Sequence, residues 1–238
     1  MSHNEKIKQD ISIFLNQWDI YQHVVNKNCM AHQQIEQHLH EFILKEYSQQ
    51  HFSLLDLGCG DASVMASILK DTHIDAYLGV DLSEAALALA ADNHRNLSFN
   101  SDFCVGDLKS FTETIHDQTF DIIVAGFSLH HLLKEEKQQF FRDCQSTLNH
   151  KGVLLIYDVI RYHDESRSEY LKRYCAQVHS LWCGLDDDSI EVINGHITSS
   201  DHPESLQTLE EMTQTSGFKS FSVLYQDSTE FHQLLAIR

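Results

Sequence analysis

The chain is poor in several things, and each shortage excludes something. Among 238 residues there is a single proline, Pro203, so no proline-rich linker divides the chain into separate bodies. No apolar run approaches the roughly 18–20 residues of a membrane-spanning helix. The opening Met-Ser-His-Asn-Glu-Lys has no apolar segment of a secretory leader, and a cytoplasmic location is expected. The six cysteines, Cys29, Cys59, Cys104, Cys144, Cys175 and Cys183, are scattered without a C-x-x-C pair, as suits free thiols in a reducing compartment. Basic residues are scarce: 17 Lys and Arg stand against 35 Asp and Glu, a formal net charge of −18. Such a surface repels phosphate backbones, so nucleic acid is an unexpected partner. Cys175, His179 and Cys183 share a helical face, but the outer two lie about 12 Å apart along the axis. That is too far to share one zinc ion, and no metal site is expected from spacing.

What is present begins at Phe52-Ser-Leu-Leu-Asp-Leu-Gly-Cys-Gly-Asp-Ala62. An apolar run ends in Asp56, a turn carries Gly58 and Gly60, and a helical pattern follows. A strand, a tight glycine turn and a helix start let a ligand lie against bare backbone. The dinucleotide fingerprint G-x-G-x-x-G has no built-in acid, because carboxylate repels phosphate. Asp56 therefore points to a ligand with positive charge near the turn. Two more acids follow apolar runs: Asp81 after Ala76–Val80, where a ribose-binding carboxylate is placed in nucleotide-binding α/β units, and Asp107 after Phe103–Gly106.

The segments LLDLGCGDA, GVDLS, VGDL and FDIIVAGFSLHHL resemble successive motifs of class I S-adenosylmethionine-dependent methyltransferases, well over residues 52–160 and more faintly over 213–238. The resemblance implies that Asp56 and the backbone of Gly58 and Gly60 hold the methionine part of S-adenosyl-L-methionine. It places Asp81 on the ribose, Leu82, Asp107 and Leu108 around the adenine, and Phe127 near the sulfonium; S-adenosyl-L-homocysteine would be the product. Ala62 replaces a frequent third glycine. The family's Asn-Pro-Pro-Tyr motif is absent, Gly126-Phe-Ser-Leu129 standing there, which argues against enzymes that methylate adenine or glutamine amino groups.

Strands are expected at 52–57, 75–81, 99–105, 120–125 and 152–158, with helices at 61–71, 83–94 and 133–149 and a short one near 109–115. Alternation of this kind implies an α/β fold. Residues 4–48 and 161–182 carry helical periodicity. A helix over 204–216 ends at Gly217, and two strands follow, over 218–225 and 230–237. With the resemblance, the expected architecture is a Rossmann-like, seven-stranded, mostly parallel sheet in one domain over 1–238. Its parts are an N-terminal helical lid (1–50), a cofactor-binding core (51–160), a helical lid insertion (161–202) and a C-terminal helix and hairpin (203–238).

The acceptor side is less marked. Methyl transfer from a sulfonium needs alignment and exclusion of water more than a strong catalytic group. His130 and His131 follow strand four at the expected mouth of the site. Adjacent residues at a helix start point about 100° apart, so His130 is expected to face the substrate as a catalytic residue and His131 to pack or cap beside it, counted with the substrate-binding residues. Asp158 ends strand five and is read as catalytic beside His130; Arg161 follows it as a substrate contact, and Tyr21 and Met30 of the N-terminal segment as lining. Trp18 and Trp182 are possible walls of an apolar pocket. The function expected is transfer of methyl to an O or N nucleophile of a small molecule. A protein or tRNA methyltransferase, a non-catalytic cofactor-binding protein and a nicotinamide oxidoreductase are the alternatives.

Overall fold

The computed structural model describes residues 20–182 and 184–238. Residues 20–26 are helical. Then come α1 (His32–Glu46), β1 (Phe52–Leu57), α2 (Ser63–Ile68), β2 (Ile74–Asp81), α3 (Glu84–His94), β3 (Asn100–Val105), α4 (Phe111–Ile115) and β4 (Phe120–Gly126). A 3₁₀ turn at Leu129–His131 leads to α5 (Lys134–Thr147), β5 (Leu148–Val159), α6 (Arg167–Leu181), α7 (Asp187–Ser200), α8 (Leu206–Thr215), β6 (Phe221–Gln226) and β7 (His232–Ile237).

The strands form one sheet in the order β3-β2-β1-β4-β5-β7-β6. β1 to β5 are parallel, and β7 runs antiparallel to both neighbours. Central parallel strands are buried on both faces and so read as continuous apolar runs. Alternate residues feed opposite cores. Leu55, Leu57, Ile123, Ala125, Leu154 and Ile156 pack on one face with Phe140, Phe141 and Met212. Leu54, Ile122, Val124, Val153 and Leu155 pack on the other with Leu39, Ile43 and Met65. A third cluster joins Val24 to Val159, Tyr170, Tyr174, Val178, Trp182 and Ile197, so the helix at 20–26 and the α6–α7 pair share a core above the carboxyl end of β5.

Helix starts follow capping chemistry. Ser166 and Glu169 form a reciprocal box at α6, and Asp186 accepts from Ser189 N at α7. Gly217 closes α8 at φ +103°. The long N-terminal helical segment is interrupted: residues 27–30 are turn, and Asn28 and Ala31 adopt positive φ. α2 is shorter than expected at both ends: Ala62 takes φ +50° and delays the helix to Ser63, and the helix stops at Ile68. β5 is longer, starting at Leu148. Among the described residues no helix is long and apolar enough to cross a membrane. Trp18 and Cys183, and with Cys183 the spacing of the tested cysteine–histidine set, lie outside the described residues.

Candidate active site

The glycine turn after β1 shapes the first crevice. Gly58 and Gly60 adopt φ +75° and +54°, where a side chain is strained. The N–H groups of Gly58 and Cys59 both donate to Val80 O, at 2.8 and 3.1 Å. Asp81 accepts from Gly60 N (2.9 Å) and Ser83 N (2.8 Å), which ties the turn to the end of β2. The crevice, about 220 Å³, is walled by Tyr21, His32, Asp56, Gly58, Gly60 and Phe127 among others. Asp56 is buried and accepts from Tyr77 Oη at 2.7 Å. Burial, with Asp81 adding to it, pushes its carboxyl up to about 7.

Asp81, Leu82, Asp107 and Leu108 lie at the carboxyl ends of β2 and β3, beyond the wall of that crevice. Asp81 is level with Val105 on the next strand. Leu82 is 67% exposed, and Asp107 accepts from Lys109 N at 2.9 Å. These four residues therefore share one open edge of the sheet with the glycine turn.

Phe127 is placed by strain. It holds φ +44°, uncommon for a bulky residue, directly after Gly126. A Cβ at Gly126 would come within 2.0 Å of Tyr157 Cζ, so only glycine fits there. Phe127 N donates to Tyr157 O at 2.8 Å, and its ring meets His32 at 5.1 Å between centroids.

Beyond Phe127 lies a second cavity of about 270 Å³. Tyr21 and Phe127 line both spaces. Its walls are mostly apolar and include Val24, Met30, Trp182 and Ile193; its polar end holds His130, His131, His196 and Asp201. There Asp158 accepts from His130 N at 2.9 Å and pairs with the ring Nδ1. Burial opposes charge on His130, but Asp158 outweighs it and the pKa is raised; the Asp158 carboxyl is correspondingly lowered despite its own burial. Burial, with His130 nearby, drops His131 to about 3, and burial lifts Asp201 to about 6.

Backbone clamps hold this end. His202 N donates to His130 O at 2.7 Å. The buried Lys137 Nζ donates to Leu132 O and His202 O, both at 2.5 Å. Arg167 Nε donates to Asp201 O at 2.6 Å.

The two histidines turn through a 3₁₀ step and both line the cavity, so the expectation that only one of them faces it is corrected, while His131 stands where a substrate contact is expected. Two further expectations are corrected. Asp158, expected to be catalytic beside His130, is buried and has its oxygens engaged by His130 and by Val159 N, so it positions the His130 ring and does not itself reach a substrate. Arg161 lines neither cavity; its guanidinium donates to Pro203 O, Glu165 O and Glu204 Oε2 and so fastens the start of the helical insertion to the segment before α8. Tyr21 and Met30 do line the cavity beside Phe127. Sequence reading missed His32, His196 and Asp201. The only local sign for Asp201 is its place just before the lone Pro203; His32 and His196 carry none.

A methyltransferase-domain family model matches residues 54–152. The chain is 31% identical over 104 residues to a release factor glutamine methyltransferase of Caulobacter vibrioides, covering 42% of this chain and 35% of that protein. It is 21% identical over 232 residues to the carboxy-S-adenosyl-L-methionine synthase of Idiomarina loihiensis, covering 92% and 90%. Among solved structures, the plantazolicin methyltransferase BpumL, bound to a desmethyl analogue and S-adenosylhomocysteine, aligns with a TM-score of 0.65 at 15% identity, covering 94% of this chain and 90% of that one. The chain thus has the fold of class I S-adenosylmethionine-dependent methyltransferases, and its residues 54–152 match their domain family. Several of the curated relatives are matched over only about half of their length or less: 35% for the Caulobacter protein and 54% for a Yersinia pseudotuberculosis carboxy-S-adenosyl-L-methionine synthase. The sheet order, the antiparallel β7 and the glycine turn are those of that fold.

Proposed function

We propose that this methyltransferase transfers the methyl group of S-adenosyl-L-methionine to an oxygen or nitrogen of a small molecule, releasing S-adenosyl-L-homocysteine. The observation that carries the reading is the pair of adjoining cavities that share Tyr21 and Phe127. The first holds the cofactor: Asp56, Gly58 and Gly60 take its amino-acid part, Asp81 the ribose, Leu82, Asp107 and Leu108 the adenine edge. The sulfonium then lies beside Phe127, with its methyl directed into the second cavity. That space, about 270 Å³, is near the lower end of ligand pockets, roughly 300–1,000 Å³, and suits a metabolite better than a polymer.

Inside it, Met30 and the apolar walls hold the body of the acceptor, and its hydroxyl or amine is directed to His130, whose ring Asp158 fixes. The nucleophile's lone pair forms the new bond to carbon. The carbon–sulfur bond breaks with its electron pair kept by sulfur, and the nucleophile's proton leaves toward the polar end. Enclosure by residues 20–30 and the α6–α7 insertion excludes water and aligns the atoms, an effect that supplies about 7–11 kcal/mol. The net charge of −18 disfavours tRNA. The Gly126–Leu129 segment lacks the Asn-Pro-Pro-Tyr pattern expected of a glutamine-methylating enzyme.

The test is incubation with isotopically methyl-labelled cofactor and a fractionated pool of small metabolites, read by mass spectrometry beside calorimetry with S-adenosyl-L-homocysteine. A labelled metabolite together with cofactor-product affinity supports the reading. Label arriving only on protein or tRNA, or cofactor binding with no transfer to any fraction, sinks it.

A further inference from the structure

We propose that His130, His131 and Asp201 hold a divalent transition-metal ion, of the zinc or iron(II) class, at the polar end of the acceptor cavity. The part given to the acceptor rests on the function proposed above; the ligand set rests on geometry alone.

The decisive atom is Asp201 Oδ1. Asp201 is 2% exposed, and Oδ1 has no hydrogen-bond partner among the described residues. Leaving such an oxygen buried and unpaired is costly. Yet two ring nitrogens face it without closing on it: His130 Nε2 at 3.6 Å and His131 Nδ1 at 3.8 Å. Direct hydrogen bonds would close to about 2.7–3.2 Å. Two ligands each about 2.1 Å from a tetrahedral ion stand roughly 3.4 Å apart. One ligand atom from each of the three residues lies within 4.8 Å of the others, and they are the only such group of three among the described residues. The spacing is too long for pairing and close to that of a shared ion.

The surroundings agree. His130 commits Nδ1 to Asp158, which leaves Nε2 for the cavity. A carboxylate behind an imidazole is the usual outer partner of a metal-bound histidine. The neighbouring cation, Lys137, spends its ammonium on the carbonyls of Leu132 and His202, and Arg167 binds the carbonyls of Asp201 and Thr198. Neither neutralises the Asp201 carboxylate directly; both fix its backbone. Two imidazoles and one carboxylate suit zinc or non-haem iron and leave coordination positions open. Those positions face the space beside Phe127.

An acceptor hydroxyl or amine bound there would give up its proton more readily, toward the polar end of the cavity. Its lone pair then takes the methyl carbon while sulfur keeps the electrons of the broken bond. The acceptor class is thus a small molecule with an ionisable oxygen or nitrogen able to bind a metal ion.

The experiment uses untagged full-length protein, stripped of metal by a chelator and titrated with Co²⁺ and then Zn²⁺. Visible absorption, metal content and circular dichroism are followed. Wild type is expected to take one Co²⁺ per chain with ligand-field bands that Zn²⁺ abolishes. Asp201→Asn is expected to bind at least 100-fold more weakly, and His131→Ala, at a partly exposed site, at least tenfold more weakly. Asp158→Asn, acting through His130, is expected to lose about 10–100-fold. Folded wild type that binds neither ion at one per chain, or affinity unchanged in both Asp201→Asn and His131→Ala, overturns the proposal. Calorimetry of the stripped protein with S-adenosyl-L-homocysteine tests the cofactor reading separately, so either reading fails without the other.

Discussion

Asp158 grips His130 twice, through the backbone N–H at 2.9 Å and through the ring Nδ1. One carboxylate therefore sets both the 3₁₀ turn after β4 and the direction of the imidazole. Asp158→Asn is expected to lower turnover about 10–100-fold with little change in affinity for S-adenosyl-L-homocysteine. Breaking a buried pair costs about 3–5 kcal/mol, so urea denaturation checks the structural part, and steady-state kinetics with calorimetry checks the rest. Equal loss of cofactor affinity would move His130 into the cofactor site.

Asp81 holds two backbone donors of the glycine turn and helix start. Asp81→Ala is expected to weaken cofactor-product binding by about 1.5–3 kcal/mol. Unchanged affinity by calorimetry would show that the ribose is held elsewhere.

The Asp56 carboxyl, raised to about 7 by burial and by Asp81, gives a signed pH effect. Below about pH 4 the group is protonated in both folded and unfolded chains. From there to about pH 7 the unfolded chain ionises while the folded one keeps its proton, so this group lowers stability as pH rises; above 7 the cost is constant. A cofactor ammonium beside Asp56 favours the carboxylate, so binding near pH 6.5 is expected to release a proton. Calorimetric enthalpies in buffers of different ionisation heat measure it; no buffer dependence would remove Asp56 from contact with the cofactor's charge.

His32 is buried, both ring nitrogens lack hydrogen-bond partners among the described residues, and burial lowers its pKa to about 4. His32→Phe removes two unpaired polar atoms and is expected to raise stability by about 1–3 kcal/mol while weakening cofactor-product affinity through the lost contact at the crevice wall. Thermal melts with and without S-adenosyl-L-homocysteine separate the two effects. A variant that binds as tightly as wild type would make His32 a packing residue.

Arg161 anchors the helical insertion through Pro203, Glu165 and Glu204. Arg161→Ala is expected to cost about 1–3 kcal/mol of stability with kcat and KM altered together. A rise in KM alone, at unchanged stability, would restore it to the substrate.

Much of the scaffold was legible along the chain. Strands β1, β2 and β4 are apolar runs closed by Gly58, Asp81 and Gly126, and β1 spans the expected Phe52–Leu57. Short-range rules govern such features: alternation of buried faces, caps such as Ser83 and Ser205, and the positive φ of Gly58, Gly60 and Gly217. Ala62 and residues 27–30 departed from the pattern because left-handed backbone at non-glycine positions leaves no mark in periodicity.

By itself, then, the order of residues determined the α/β class, the glycine turn and the acids that end β1, β2 and β3, because each depends on neighbours a few positions apart. Tertiary structure alone decided that Asp158 serves His130, that Arg161 fastens the helical insertion, and that Asp201 returns from the end of α7 to face two histidines that follow β4. Those contacts join segments far apart in the chain. They exist only when the sheet, the helical insertion and the Lys137 clamp close together, so no local spacing encodes them.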